Sequence, residues 1–341
     1  MKFIHTADIH LGAAFLEKNQ LFESFERIIE DAKNEKVDVL MISGDLFNKQ
    51  PLLKELREIN ALFSRICNTK VFIIAGNHDF IKKDSYYNSF NWNENVIFIK
   101  GNKISRIDVD KLNLSIYGMS YHNREIRENI YDNLTPDNEE RINILMAHGG
   151  DETHGPINFQ SLNDSGFDYI ALGHIHKYSE PINNYAIYPG SIEPLDINET
   201  GAHGYVYGEI TKTGRLIEFR SIAKKRCIHY ELDVTGKDSN FGIIEELKKV
   251  IDKDAYYKIN LIGKSKIDLN LGLFYNIKNV VKVVDNTSLD YDIDKLLKDN
   301  ENGILGEYIK NFVINNTSPS EIEKKSNEYA IKALIYNQKG N

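Results

Sequence analysis

Hydrophobic and polar positions along the first hundred residues follow two alternating rhythms. Short runs at 2–6, 37–43 and 71–75 have the length and branched or aromatic content of strands. Between them Leu21, Phe22, Phe25, Ile28 and Ile29 recur at helical spacing within 21–34, and 52–66 reads as a second helix. Strand and helix in alternation predict βαβ units and a parallel sheet. From residue 95 the runs shorten, and 96–99, 112–117, 142–147, 169–172, 185–188 and 205–210 read as strands. An α/β fold, a two-sheet sandwich flanked by helices, would use them all.

The texture changes near 223–228. Beyond it 241–251 reads as a helix and 256–262 and 280–284 as strands, so a small α/β capping domain is expected over 225–288, after a first domain over 1–224. The remainder, 289–341, carries apolar residues at helical intervals in "LGEYIKNFVI" and "EIEKKSNEYAIKALIYNQ". Helices are expected there, with an apolar stripe that is a candidate docking surface.

Composition narrows the class. At 341 residues, 41% hydrophobic and 27% charged, the chain has an ordinary globular balance and more than one domain is expected. No uninterrupted apolar span is long enough to cross a bilayer and "MKFIHTADIH" holds no long apolar stretch, so a cytoplasmic location is expected. Cys67 and Cys227 lack metal-type spacing, and both are expected as buried apolar fillers. The net charge of −8 argues against a freestanding protein that grips nucleic acid by bulk positive charge. It does not exclude a nucleic-acid enzyme, because bound divalent cations or a partner supply positive field locally. The basic stretch "AKKRC" reads as solvated surface.

Candidate chemistry sits where the strands end. In "DYIALGHIHKYSE" a short strand runs into Gly173, and an extended backbone beyond it would project His174 and His176 to one side. The first strand exits into "ADIHLG" with Asp8 and His10, the next into "SGDLF" with Asp45, and the third into "AGNHDF" with Asn77, His78 and Asp79. A later one exits into "MAHGG" with His148. Singly, Asp8 suits a loop cap, Asn77 a turn and His148 a satisfied core position. Five strand ends that each deliver such a group beside Gly or Ala point jointly to an assembled site. Two aspartates, one asparagine and four histidines, with one carboxylate bridging, would hold two divalent cations. The mixed oxygen and nitrogen set suits manganese, iron or zinc better than magnesium or calcium. Two such ions clamp a phosphate oxygen and generate a nucleophile from water at neutral pH, so the expected reaction is phosphoester hydrolysis.

In order along the chain, "DIH", "GD", "GNHD", "H" and "GHIH" resemble the motifs of the calcineurin-like metallophosphoesterase superfamily. Within it, "HTADIHLG", "SGDLF", "AGNHD", "ALGHIHK", "YPGSIE" and "YGMSYHNREI" resemble the SbcD-type DNA repair exonucleases, especially their YhaO-like branch. The resemblance implies that Asp8, His10, Asp45 and His176 hold a first metal and that Asp45, Asn77, His148 and His174 hold a second. It also implies that His78, a non-ligand, protonates the leaving oxygen while Asp79 orients its ring. Manganese, an SbcC-type SMC-like ATPase partner and a homodimer with candidate contacts at 52–66 and 80–92 follow from the same resemblance. One position departs from it: several relatives carry a histidine where Asn48 stands. His122 and His154 match no metal position and are expected in surface or loop roles.

The leading expectation is a two-metal DNA nuclease subunit, in which 225–288 caps the site and the helical tail docks the ATPase. A small-molecule phosphodiesterase or phosphatase would use the same centre. A DNA-end-binding scaffold with weak catalysis is a third reading, against which the full ligand set speaks.

Overall fold

Period-two alternation of large side chains builds the architecture. The computed structural model describes residues 1–15, 17 and 19–339. The strands are β1 (Lys2–Thr6), β2 (Val39–Ser43), β3 (Lys70–Ile74), β4 (Val96–Phe98), β5 (Ser105–Val109) and β6 (Leu114–Gly118), then β7 (Ile142–His148), β8 (Tyr169–Gly173), β9 (Ser179–Ile182), β10 (Ala186–Tyr188), β11 (Gly204–Thr211) and β12 (Gly214–Ser221). They form two six-stranded sheets, ordered β12-β11-β1-β2-β3-β4 and β5-β6-β7-β8-β10-β9. Strands β1 to β4 run parallel, as do β6, β7, β8 and β10, and antiparallel strands close the remaining edges.

Both faces of the central strands are covered. Phe3, Val39, Met41, Phe72 and Ile74 of the first sheet meet Ile116, Ile144, Met146, Tyr169 and Ala171 of the second in one buried cluster. Their sequence neighbours Ile4, Leu40, Ile42, Val71 and Ile73 point the other way, onto helices α1 (Gln20–Asn34) and α2 (Leu53–Ser64). On the outer face of the second sheet, Leu145, Ala147, Ile170 and Leu172 pack with Leu162 and Phe167. This double burial is why these strands read as continuous apolar runs.

The two-sheet expectation holds, and element ends shift by one to three residues. Besides the two-residue pair Lys264–Ser265 and Ser288–Leu289, four longer strands, Ser105–Val109, Ser179–Ile182, Gly214–Ser221 and Arg226–Asp233, escape the sequence reading. Each mixes charged with apolar residues, and in the first three the side chains are half-buried or exposed. They are strands because a neighbour supplies the ladder, as β11 does for all eight residues of β12. Cys227 is buried, but Cys67 is exposed, correcting the expectation for that thiol: it lies in the turn after α2 rather than on its packed face. The basic stretch pairs with α1 through Lys224 and Glu23, and Lys225 pairs with Glu17 ahead of that helix.

The chain divides into compact units at Met1–Cys227 and Ile228–Asn341. The second contains the three-stranded sheet of Arg226–Asp233, Ala255–Ile262 and Val280–Asp285, with a core of Leu232, Ile243, Leu247, Ile259 and Phe274. Helices follow at Ile293–Asp299, Ile304–Tyr308 and Glu321–Lys339, gathered on Leu305, Ile309 and Ile331. Among the described residues no helix is long and apolar enough to cross a membrane.

Candidate metal centre

All the strand-end groups singled out by sequence converge at one place, where the C-terminal ends of the parallel strands of both sheets meet. Asp8 and His10 follow β1, Asp45 follows β2, and Asn77 to Asp79 follow β3; His148 ends β7 and His174 and His176 follow β8. Backbone bonds between the loops fix the approach: Asp8 N to Gly44 O at 3.2 Å and His10 N to Asp45 O at 2.9 Å. The second sheet is tied on by the Ser43 hydroxyl donating to Ala171 O at 3.0 Å and by the His174 amide, 3.0 and 2.9 Å from the two Asp8 carboxylate oxygens.

Aiming these side chains inward requires unusual backbone. Asp8, His10 and Asp45 all have φ near +50°, and His174 has φ of +101°. Strain of this kind gathers at functional sites, where the surrounding bonds hold it. The extended backbone expected across GHIH is therefore not found. The sheets come so close that a Cβ on Gly173 would lie 1.9 Å from Ser43 O, and the chain turns at His174 instead. The two rings diverge, His174 toward Asn77 and His176 toward His10.

Each of the four convergent histidines has one nitrogen bonded outside the centre. His148 Nδ1 donates to Ser43 O at 2.9 Å, His176 Nδ1 to Glu199 at 2.7 Å, and His174 Nε2 to Asp151 at 2.7 Å; His10 Nδ1 lies 3.1 Å from Asn48 Oδ1. Carboxylate and carbonyl oxygens only accept, which assigns the proton to the outer nitrogen and a lone pair to the inner one. The inner nitrogens meet other electron-rich atoms. His10 Nε2 and His176 Nε2 are 3.2 Å apart, and Asn77 Oδ1 lies 2.9 Å from His148 Nε2 and 3.2 Å from His174 Nδ1. Asp45 Oδ2 sits between the two groups, 3.5 Å from His10 Nε2 and 3.4 Å from His148 Nε2. Lone pairs and a carboxylate crowded together, with Asp8, His10, Asp45, Asn77 and His148 buried and His174 and His176 half-buried, fit divalent cations.

The electrostatics report the same crowding. Burial pushes the Asp8 carboxyl up to about 6, against the pull of His148 and His176. Burial also lowers His10 to about 4, and burial with the nearby His148 ring lowers His174 to about 4. Burial disfavours charge on Asp45 too, but His148 and His10 outweigh it and hold that carboxyl well below the usual range. In the same way Asp45 overcomes burial at His148 and lifts it to about 9. A proton and a metal ion thus compete for one nitrogen.

His78 lies beside the centre, its ring centroid 4.7 Å from that of His10, and its amide donates to Asp45 Oδ1 at 2.8 Å. Its Nδ1 is 3.2 Å from Asn48 O, so a backbone carbonyl positions the ring rather than Asp79. The oxygens of Asp79 are occupied elsewhere, by Gly76 N at 2.8 Å, Phe47 N at 3.2 Å and the Tyr87 hydroxyl at 2.8 Å. Asp79 ties together the loops that carry Asp45 and Asn77. Burial and the neighbouring Asp45 push its carboxyl up to about 7.

Sequence reasoning passed over Asp151 and Glu199, the outer partners of the GHIH pair, because acidic loop residues have no distinguishing pattern. It set His154 aside as well, and that ring pairs with Asp151 at 2.9 Å. His122 contacts Lys100 O and joins no ligand cluster among the described residues. The centre opens into a cavity of about 860 Å³, lined by His78, His174 and His176 together with Arg124, Lys177 and Glu199.

Comparison with known proteins agrees with this chemistry. The family described as Calcineurin-like phosphoesterase matches residues 1–178. The chain is 31% identical to the uncharacterized metallophosphoesterase YhaO of Bacillus subtilis, over 74% of the chain and 68% of that protein. It is 29% identical to the DNA double-strand break repair protein Mre11 of Methanocaldococcus jannaschii, over 82% and 74%. Against the SbcCD nuclease subunit of Staphylococcus epidermidis it is 26% identical over 95% and 96%.

Proposed function

Because the chain belongs to the calcineurin-like phosphoesterase family and is a metal-dependent phosphodiester hydrolase, we propose that its substrate is DNA, cleaved during end processing and repair, with two manganese ions in the centre. The observation that carries the reading is the position of Asp45 Oδ2 midway between two groups of donors. On this reading Asp8, His10 and His176 hold one ion, Asn77, His148 and His174 hold the other, and Asp45 bridges. When bound, the ions polarise a phosphoryl oxygen and lower the pKa of water.

The chain's own residues supply the rest. His78 faces the same cavity with Nδ1 donating to Asn48 O, so in its imidazolium form the second proton sits on Nε2, from which it passes to the departing sugar oxygen and leaves the neutral ring. Asp45 holds the His78 backbone in place. Similarity to Mre11 and to the SbcCD nuclease supports DNA as substrate and an SMC-like ATPase as partner. The exposed Ile304, Phe312, Ile322 and Tyr329 in the helical region offer an apolar surface for that partner.

The test is hydrolysis of end-labelled linear duplex by the manganese-loaded protein, beside His78→Gln and a chromogenic phosphodiester. Duplex processing that disappears in the variant, with metal binding retained, supports the reading. Turnover of the small ester with duplex left intact, even with a candidate ATPase and ATP present, would assign the centre to small phosphodiesters instead.

A further inference from the structure

A second cavity of about 390 Å³ adjoins the metal centre, and the two share Asn77, His78 and Arg124. Its size lies within the range of roughly 300–1,000 Å³ typical of small-ligand pockets. Its walls include three cations, Lys49, Lys82 and Arg124, and among the described residues no carboxylate. That is not the general character of this surface: the chain carries a net charge of −8, and another cavity, of about 300 Å³, presents Glu17, Glu55 and Glu58. All three cations are exposed, and among the described residues none of them is engaged in an ion pair. The Lys82 ammonium stands 5.2 Å from the centroid of the half-buried Phe80 ring, which places an apolar plate and a positive charge side by side.

Position gives this cavity a role. In an in-line displacement the leaving oxygen departs on the side opposite the attacking water, where the proton donor must stand. His78 forms part of the wall common to both cavities, so a leaving group protonated by His78 passes into the cationic one. We propose that the cavity formed by Lys49, Phe80, Lys82 and Arg124 is the subsite for the leaving strand, binding the phosphodiester next to the scissile bond and the nucleoside attached to it. Arg124, on both walls, lies between the scissile phosphate and its neighbour. The proposal rests on the nuclease reading above and adds to it where the strand lies.

The experiment is a cycle between one phosphate and two cations. The cleavage position on a linear duplex is mapped first with the manganese-loaded full chain, and the product that retains no new phosphate identifies the leaving side. A single neutral methylphosphonate then replaces the next phosphate on that side. The expected result is a fall in kcat/KM of about fivefold or more in the unaltered protein and no further fall in Lys82→Ala/Arg124→Ala, because contacting groups do not act additively. The slope of log kcat/KM against log salt should flatten by about 0.7–0.9 for each cation removed. Lys82→Arg/Arg124→Lys, which keeps both charges, should restore sensitivity to the methylphosphonate. If the phosphate and the cations act additively, or the methylphosphonate has no effect while duplex is still cleaved, the subsite is wrong and the nuclease reading stands. If duplex is untouched while an aryl diester is hydrolysed, both fall together.

Discussion

Asp151 Oδ2 stands 2.7 Å from His174 Nε2, on the ring nitrogen opposite the one that faces Asn77 Oδ1. The two hydrogen bonds from His174 and His154 outweigh burial and hold the Asp151 carboxyl well below its ordinary range, so it is ionised at neutral pH. An ionised acceptor fixes the imidazole tautomer and raises the basicity of the inner nitrogen. Asp151→Ala should therefore weaken manganese binding by about 10–100-fold, read by calorimetric titration of chelator-treated protein. Asp151→Asn, which keeps an acceptor but not the charge, should fall between. Unchanged affinity in both variants would reduce the pair to a surface contact.

Two glycines separate backbone strain from packing. Gly12 and Gly44 have similar φ, +90° and +94°, but a Cβ on Gly12 meets nothing among the described residues within 4 Å whereas one on Gly44 would lie 2.1 Å from His148 Nδ1. Gly12→Ala should cost about 1–2 kcal/mol from the left-handed backbone alone. Gly44→Ala adds an overpacking cost of about 1–3 kcal/mol, because the His148 ring is pinned by Ser43 O and cannot retreat. Urea unfolding of the pair measures the difference, and equal losses would show that the ring yields.

Tyr87 is fully buried and donates to Asp79 Oδ2 at 2.8 Å. Tyr87→Phe removes that donor and leaves the carboxyl less satisfied, which should destabilise the first unit by about 1–3 kcal/mol. Because Asp79 also accepts from Gly76 N and Phe47 N, the loops bearing Asn77 and Asp45 should loosen with it. Hydrogen exchange at the amides of Gly76 and Phe47 reports that loosening directly, and unchanged protection there would mean the two backbone bonds suffice.

His5 predicts a pH dependence away from the centre. Burial between the sheets lowers its pKa to about 3 although Leu172 O accepts from the ring, and Tyr169 is bonded to its other nitrogen. The folded value lies below the unfolded one of about 6.5, so the unfolded chain binds the extra proton. Stability is full above about pH 6.5 and declines toward pH 3, by up to about 1.4 kcal/mol for each unit. The difference in unfolding free energy between the protein and His5→Gln, followed from pH 7 to pH 4.5 without metal, should shrink as pH falls. A constant difference would show that His5 is protonated in the fold.

Five of the seven candidate ligands were legible because each is a polar group at the end of an apolar run, beside a small residue. Asp8, Asp45, Asn77, His148 and His174 all carry that local signature. What surrounds them was not. Asn48 has no such signature, and only its two contacts, to His10 and to His78, reveal that it positions both rings. The family resemblance made Asp79 a partner of His78, and the fold sends its carboxylate to the neighbouring loops and Tyr87 instead. The edge strands were hidden for a related reason: their pairing comes from a neighbour rather than from their own alternation.

By itself the sequence determined the parallel strand and helix order, the double burial of the central strands and the residue types gathered at their ends. These follow from local hydrophobic period and from chemistry carried within a few residues. Tertiary structure decided which nitrogen of each histidine faces inward, which carboxylates back them, and that a cationic cavity lies beyond His78. Those outcomes depend on atoms that approach within about 3 Å from residues up to 166 positions apart, as His10 and His176 do, and no local pattern along the chain encodes such a meeting.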